Sequence, residues 1–145
     1  MANILTAAGA NRIITIDPDN SCARVQPGVR NLAISEAAKP HGLYYAPDPS
    51  SQIACTIGGN VAENSGGVHC LKYGLTTHNV LGVQLLTASG EPLSVGGPAL
   101  DCPGFDLMAL LTGSEGLLGL VVEVTVKLLP VPETVRVLVA GFLLG

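Results

Sequence analysis

The chain has 145 residues, of which 48% are hydrophobic and 12% are charged, and its formal net charge is −4. High hydrophobicity with low net charge excludes intrinsic disorder, and the 7 Lys and Arg residues are too few and too scattered for a nucleic-acid surface. No apolar run approaches the roughly 18 residues of a membrane-spanning helix. The N-terminus lacks the features of a secretory signal, so we expect a cytoplasmic protein.

The cysteines and histidines do not indicate a metal or disulfide framework. Cys22, Cys55, Cys70 and Cys102 include no Cys-x-x-Cys pair, so we expect reduced thiols and no structural zinc site.

The first elements are predicted to be a hairpin and a helix. Short strands over residues 12–17 and 22–26 flank the turn sequence Asp17-Pro18-Asp19-Asn20. Apolar residues then recur at helical spacing over residues 29–37, and Pro40 ends that pattern.

A loop and a glycine-bounded turn come next. Residues 44–51 contain two prolines around an aspartate, which predicts an ordered extended loop. Residues 56–65 read as a short helix or turn, and residues 80–87 and 92–95 as a second hairpin.

The clearest strand signal lies near the end of the chain. Residues 105–111 predict a short helix, whereas every even position from 118 to 128 is apolar, as in a strand with one buried face. A further strand is predicted over residues 135–142. Together the elements predict one α+β unit with a mostly antiparallel sheet flanked by helices.

Glycine pairs are the candidate chemistry-bearing pattern. Gly58-Gly59, Gly66-Gly67 and the run 113–119 permit positive φ angles and close approach of backbone N–H groups to a ligand. No P-loop and no Gly-x-Gly-x-x-Gly fingerprint is present. The alternative, that these glycines only turn corners in a sheet, has about equal weight on the pattern alone.

Catalytic side chains are scarce. Nothing in the spacing assembles a relay around His41, His69 or His78, and nothing indicates that Glu63 and Glu115 converge. We therefore predict no catalytic residue in this chain. A cofactor that carries the chemistry would explain the scarcity.

Four motifs carry a family resemblance: the run 47–51 (PDPSS), the run 56–67 (TIGGNVAENSGG), Lys72-Tyr73-Gly74 and the run 113–119 (GSEGLLG). With them the chain resembles the FAD-linked oxidases of the vanillyl-alcohol oxidase type, which have a PCMH-type FAD-binding domain. Within that family it is most similar to the flavoprotein subunit of glycolate oxidase and to D-lactate dehydrogenases. The resemblance extends from about residue 12 to residue 129.

The resemblance implies a residue-by-residue FAD site. The 47–51 loop would lie along the flavin, the first glycine pair would present backbone donors, and the second would line the isoalloxazine and pyrophosphate region. The end of the site near residue 115 would hold the ribose and adenine. The implied cofactor-binding residues are Pro47, Ser50, Ser51, Thr56, Gly58, Gly59, Asn64, Ser65, Gly66, Gly67, Tyr73, Gly74, Glu115, Gly116, Gly119, Val121 and Val122.

Two family features are missing from the sequence: an upstream glycine-rich pyrophosphate loop and a downstream substrate-binding cap. We therefore expect residues 1–145 to be a partial FAD-binding domain, inactive alone, from an enzyme that oxidises glycolate or D-lactate by hydride transfer to FAD. Sister subunits of a glycolate oxidase complex are possible partners. The alternative is a non-catalytic remnant that binds a protein partner without a cofactor.

Overall fold

Two hairpins and one long strand form the sheet on which the rest of the chain is built. The structure is a computed structural model that describes residues 9–99, 104–134, 136–139 and 141. Its strands are β1 Ile13–Asp17, β2 Cys22–Val25, β4 Val80–Leu86, β5 Pro92–Gly96 and β6 Leu120–Lys127. They follow the order β1-β2-β6-β4-β5, and every neighbouring pair is antiparallel.

The turn between β1 and β2 is closed by a carboxylate. The backbone N–H and the side-chain Nδ2 of Asn20 donate to Asp17 at 3.0 and 2.7 Å. These hydrogen bonds hold the pKa of Asp17 below its usual range. The turn residues that predicted the hairpin therefore form it through their side chains.

The helices are short and pack mainly on one side of the sheet. Ile34, Ile57 and Val61 from the helices meet the strand residues Val83 and Val124 in the core, and all five are buried. The remaining α-helices and strands are α1 Asn31–Ala38, β3 Leu43–Tyr44, α2 Ile57–Glu63, α3 Cys70–Tyr73, α4 Leu107–Leu111 and β7 Leu129–Pro130. Two 3-10 turns are formed by Lys39–His41 and Thr76–His78. Strands β3 and β7 pair in a separate two-stranded sheet.

Strand β6 contains a bulge that the sequence pattern does not show. Gln84 pairs with Glu123 and Leu85 pairs with Val121, so Val122 is the extra residue. Beyond the bulge Val124 and Val126 are fully buried as predicted, but Thr125 between them is buried as well. Before it, Val121 packs against the core although its odd position predicts the outer face.

The α+β prediction is confirmed, including both hairpins and the strand near the end of the chain. Five elements were not predicted: α3, β3, β7 and the 3-10 turns Lys39–His41 and Thr76–His78. The predicted strand over 135–142 lies partly outside the described residues, and residues 136–139 form no regular element. Among the described residues, no helix is long and apolar enough to cross a membrane.

Candidate functional site

A cavity of about 380 Å³ lies where α2, the loop before it and the start of β6 meet. Its walls combine the helix, the 113–119 run and side chains from the sheet. The described lining residues are Pro27, Ser51, Ala54, Cys55, Thr56, Gly58, Gly59, Asn60, Val61, Ala62, Glu63, Ser65, Leu85, Leu111, Ser114, Glu115, Gly116, Gly119, Leu120 and Val121.

The first turn of α2 is bonded to the protein itself. The N–H of Ile57 donates to Val29 O at 2.8 Å and that of Gly58 to Pro27 O at 2.9 Å. Thr56 caps the helix, because its hydroxyl accepts from Gly59 N at 3.4 Å. The N–H groups of Gly58 and Gly59 therefore already donate to protein acceptors, and their role as donors to a ligand stays a prediction.

Two glycines of the wall are required by close packing. A Cβ on Gly58 would lie 2.7 Å from Pro27 Cβ. A Cβ on Gly119 would meet the Leu85 side chain and would lie 2.8 Å from Leu86 O. These glycines let the walls of the cavity approach one another closely.

The 113–116 loop is attached to the C-terminal end of α2. Gly113 N donates to Val61 O at 2.8 Å, and Glu115 N donates to Ala62 O at 2.9 Å. Glu115 has a φ of +53°, a left-handed conformation that costs free energy for any residue except glycine. Glu115 and Glu63 are both exposed residues that line the same cavity.

A buried asparagine pair connects the cavity to the 47–51 loop. Asn60 Nδ2 donates to Asn31 Oδ1 at 2.8 Å, and Asn31 Nδ2 donates to Pro47 O at 2.9 Å. Both side chains are almost fully buried. The pair therefore fixes the start of the loop relative to α2.

The segment that follows α2 is held by a second set of hydrogen bonds. Asn64 has a φ of +51°, and its Oδ1 accepts from Thr77 N at 3.0 Å. The Ser65 carbonyl oxygen accepts from both N–H and Oγ1 of Thr76. The predicted site residues Asn64 and Ser65 are thus rigidly placed beside the cavity.

A cluster of titratable side chains lies outside the cavity wall. His69 Nδ1 lies 2.6 Å from Asp48 Oδ2, and the rings of Tyr44 and Tyr73 pack edge to face. Burial and Tyr73 raise the pKa of Tyr44 to about 12. Tyr44 and Lys72 lower the pKa of Tyr73.

The structure brings together about half of the predicted site residues. On the cavity are Ser51, Thr56, Gly58, Gly59, Ser65, Glu115, Gly116, Gly119 and Val121, whereas Pro47, Ser50, Asn64, Gly66, Gly67, Tyr73, Gly74 and Val122 are not among its lining residues.

Several lining residues were not predicted. Asn60 lies inside the TIGGN motif and could have been chosen as a polar residue at that spacing. Leu85 and Leu111 carry no local signal, because their positions depend on the pairing of β4 with β6 and on the packing of α4.

Comparison with known proteins identifies the family. The FAD binding domain family matches residues 3–96. The chain is 66% identical over 139 residues to glycolate oxidase subunit GlcD of Escherichia coli (strain K12), covering 96% of this chain and 28% of the relative. It is 37% identical over 133 residues to D-lactate dehydrogenase of Anaerostipes hadrus, covering 91% of this chain and 28% of that protein.

A solved structure shows the same fold. An alkyldihydroxyacetonephosphate synthase superposes with a TM-score of 0.73 at 25% identity, covering 86% of this chain and 22% of that one. The chain thus spans less than a third of the length of the relatives it matches. The resemblance inferred from the motifs and its cofactor, FAD, are both confirmed, since the family match covers more than half of the sequence. The chain belongs to the FAD binding domain family.

Proposed function

We propose that this chain is the FAD-binding portion of a flavin-dependent 2-hydroxy-acid oxidoreductase. Relatives are named as a glycolate oxidase subunit, a D-lactate dehydrogenase and a D-2-hydroxyglutarate dehydrogenase. Glycolate, D-lactate and D-2-hydroxyglutarate share a hydroxyl group next to a carboxylate. A sister subunit and a cytoplasmic location belong to the same proposal.

The composition of the cavity supports a specific placement, with the adenosine end of FAD inside it. Val61, Leu120 and Val121 provide apolar surface for a flat heterocycle, and Glu63 and Glu115 provide acceptors for a ribose diol. Among the described lining residues there is no Lys or Arg, so a pyrophosphate would meet two carboxylates without a compensating cation. This charge distribution is the observation that carries the proposal.

The other predicted residues take the rest of the cofactor in this proposal. Asn64, Ser65, Gly66 and Gly67 follow α2 directly, and of these four only Ser65 lines the adenosine cavity. The N–H groups of Gly66 and Gly67 donate to no acceptor within the described part of the chain. Successive backbone N–H groups of this kind suit a pyrophosphate or the edge of a flavin.

Bound FAD supplies a hydride acceptor, which the oxidation of a 2-hydroxy acid to a 2-oxo acid requires. The contribution of this chain is to bind and orient the cofactor. The buried Asn31–Asn60 pair holds the 47–51 loop, and the 113–116 loop fixes the position of Glu115. No residue here is assigned to proton transfer.

Competition calorimetry tests the placement. The chain is titrated with FAD alone and then in the presence of AMP or FMN. We expect FAD to bind, AMP to compete with it and FMN to compete weakly, because only AMP carries the adenosine group. Strong competition by FMN without competition by AMP would contradict the adenosine placement, and the absence of FAD binding would contradict the proposed function.

A second candidate, a cofactor-free module that binds a protein partner, is favoured by exposed apolar side chains. Leu71 is 100% exposed, Phe105 95% and Leu117 85%. Exposed apolar surface of this kind promotes association. The same titration separates the candidates, since this one predicts no affinity for FAD.

A further inference from the structure

One carboxylate, that of Asp48, binds His69 twice. Asp48 Oδ2 lies 2.6 Å from His69 Nδ1, and Asp48 Oδ1 accepts from the backbone N–H of His69 at 3.3 Å. The short Nδ1 contact makes Nδ1 the protonated ring nitrogen, with the carboxylate as its acceptor. The pair therefore fixes both the backbone and the ring of His69 relative to Asp48.

The pair joins two segments that both carry predicted FAD residues. Asp48 belongs to the 47–51 loop, and His69 begins α3 as its N-cap residue. Gly67 packs against the same point, because a Cβ on Gly67 would lie 2.6 Å from Asp48 O. Any residue with a Cβ at this position would clash with Asp48, so the close approach requires glycine.

The 47–51 loop is thus held at two places of different character. At its buried place the Pro47 carbonyl accepts from Asn31, and at its outer place the Asp48 carboxylate binds His69. The His69 side chain is 64% exposed and that of Asp48 is 24% exposed. An exposed pair of this kind adds little to global stability, so its effect falls on the position of the loop.

We propose that Asp48 and His69 are a positioning pair that holds the 47–51 loop in the conformation that binds FAD, and so slows the release of FAD. This inference rests on the proposed function. Lys72, Tyr73 and Tyr44 are the other charged or titratable groups of the cluster; Lys72 Nζ lies 4.8 Å from the centroid of the Tyr73 ring. Neither contact replaces the hydrogen bonds between Asp48 and His69.

Three variants test the pair. His69→Ala removes the ring donor. His69→Asn restores a donor, because its amide nitrogen occupies about the place of Nδ1. His41→Ala is the matched control, since His41 is also exposed but follows α1 in a separate 3-10 turn.

The first measurement is the rate of FAD release from the loaded chain. We expect release to be about tenfold faster in His69→Ala, as for the loss of one hydrogen bond to a charged group. Release should return to within about twofold of the unaltered rate in His69→Asn and remain unchanged in His41→Ala. The urea midpoint of unfolding should be the same in all four proteins, since the pair is exposed.

The second measurement needs no FAD. The N–H of Gln52 donates to Pro49 O, and the N–H groups of Ala54 and Cys55 donate to Ser51 O, all at 2.8 Å. We expect these amides to exchange with deuterium faster in His69→Ala and normally in His69→Asn. Equal deuterium exchange, or equal FAD release, in all variants would overturn this inference and leave the proposed function standing. If the unaltered chain binds no FAD, the proposed function fails and the inference fails with it.

Discussion

Gly58 lies directly against Pro27: its N–H donates to Pro27 O at 2.9 Å, and a Cβ on Gly58 would lie 2.7 Å from Pro27 Cβ. The ring of Pro27 is part of a buried backbone turn and has no flexible end that can move away. We expect Gly58→Ala to lower the free energy of unfolding by about 1–3 kcal/mol, as overpacking does. Urea denaturation followed by circular dichroism measures this change. Gly97→Ala is the control, because nothing lies within 4 Å of a Cβ there and its φ is not positive; a similar loss in that variant would contradict the packing argument.

Glu115 combines a strained backbone with a side chain on the cavity. Its φ of +53° favours glycine, so Glu115→Gly should leave the free energy of unfolding unchanged or raise it by up to about 1 kcal/mol. The same variant should weaken FAD binding by about tenfold, because a carboxylate acceptor for the ribose is lost. Glu115→Gln keeps the strain and removes only the charge. Calorimetric titration of both variants with FAD and AMP separates the two effects, and unchanged affinity for both ligands in both variants would remove Glu115 from the site.

Tyr45 is buried, and its hydroxyl oxygen has no hydrogen-bond partner among the described residues. We expect Tyr45→Phe to be neutral or to stabilise the protein by about 1 kcal/mol, because no hydrogen bond is lost with the hydroxyl. Burial raises the pKa of Tyr45 above its usual value. The Tyr45 hydroxyl therefore keeps its proton in the folded state at a pH where the unfolded chain has lost it, which begins at about pH 10. The free energy of unfolding falls as the pH rises above that value. Thermal unfolding at a series of pH values should show a smaller alkaline loss in Tyr45→Phe; an identical loss would assign the effect to other groups, such as Tyr44.

The Asn31–Asn60 pair couples loop position to stability. Asn60→Ala leaves Asn31 Oδ1 without its donor in a buried site, which should cost about 1–3 kcal/mol of unfolding free energy. Asn31→Ala also removes the donor to Pro47 O, so we expect it to cost more and to weaken FAD binding as well. Asn79→Ala is the comparison, because Asn79 is an equally buried asparagine that bonds the Tyr73 and Leu75 carbonyl oxygens away from Pro47. Chemical denaturation and FAD titration of the three variants measure the two effects, and loss of FAD affinity in Asn79→Ala to the same degree would attribute it to stability alone.

The sequence predicted those elements whose signals are local. The Asp17-Pro18-Asp19-Asn20 turn and the apolar alternation that includes Val124 and Val126 specify structure within a few residues. The bulge at Val122 and the β3–β7 pair were not predictable in this way, because both depend on which strands become neighbours.

The predictions about the site differ in the same way, between local motifs and long-range packing. Of the residues that the family resemblance assigned to FAD, Glu115, Gly58, Gly59, Gly116 and Gly119 line the cavity, whereas Gly66, Gly67 and Gly74 do not. The physical role of Gly58 and Gly119 was not apparent from the pattern, since it depends on Pro27 and Leu85, which approach only in the folded chain. Sequence spacing identifies glycines that matter, whereas only the structure says whether a ligand or a neighbouring wall requires them.

The place of β6 in the sheet has a consequence for synthesis. This strand lies in the centre, between β2 and β4, yet it is formed by residues 120–127, and Arg24 meets its ion-pair partner Glu123 across 99 positions of sequence. On the ribosome, both hairpins emerge before β6 is synthesised. Until then, the edges of β2 and β4 that will pair with β6 stay unpaired. Leu120 and Val121 of that strand also form part of the cavity wall. With FAD placed in this cavity as proposed, we expect cofactor loading to begin only after the nascent chain has extended beyond Lys127.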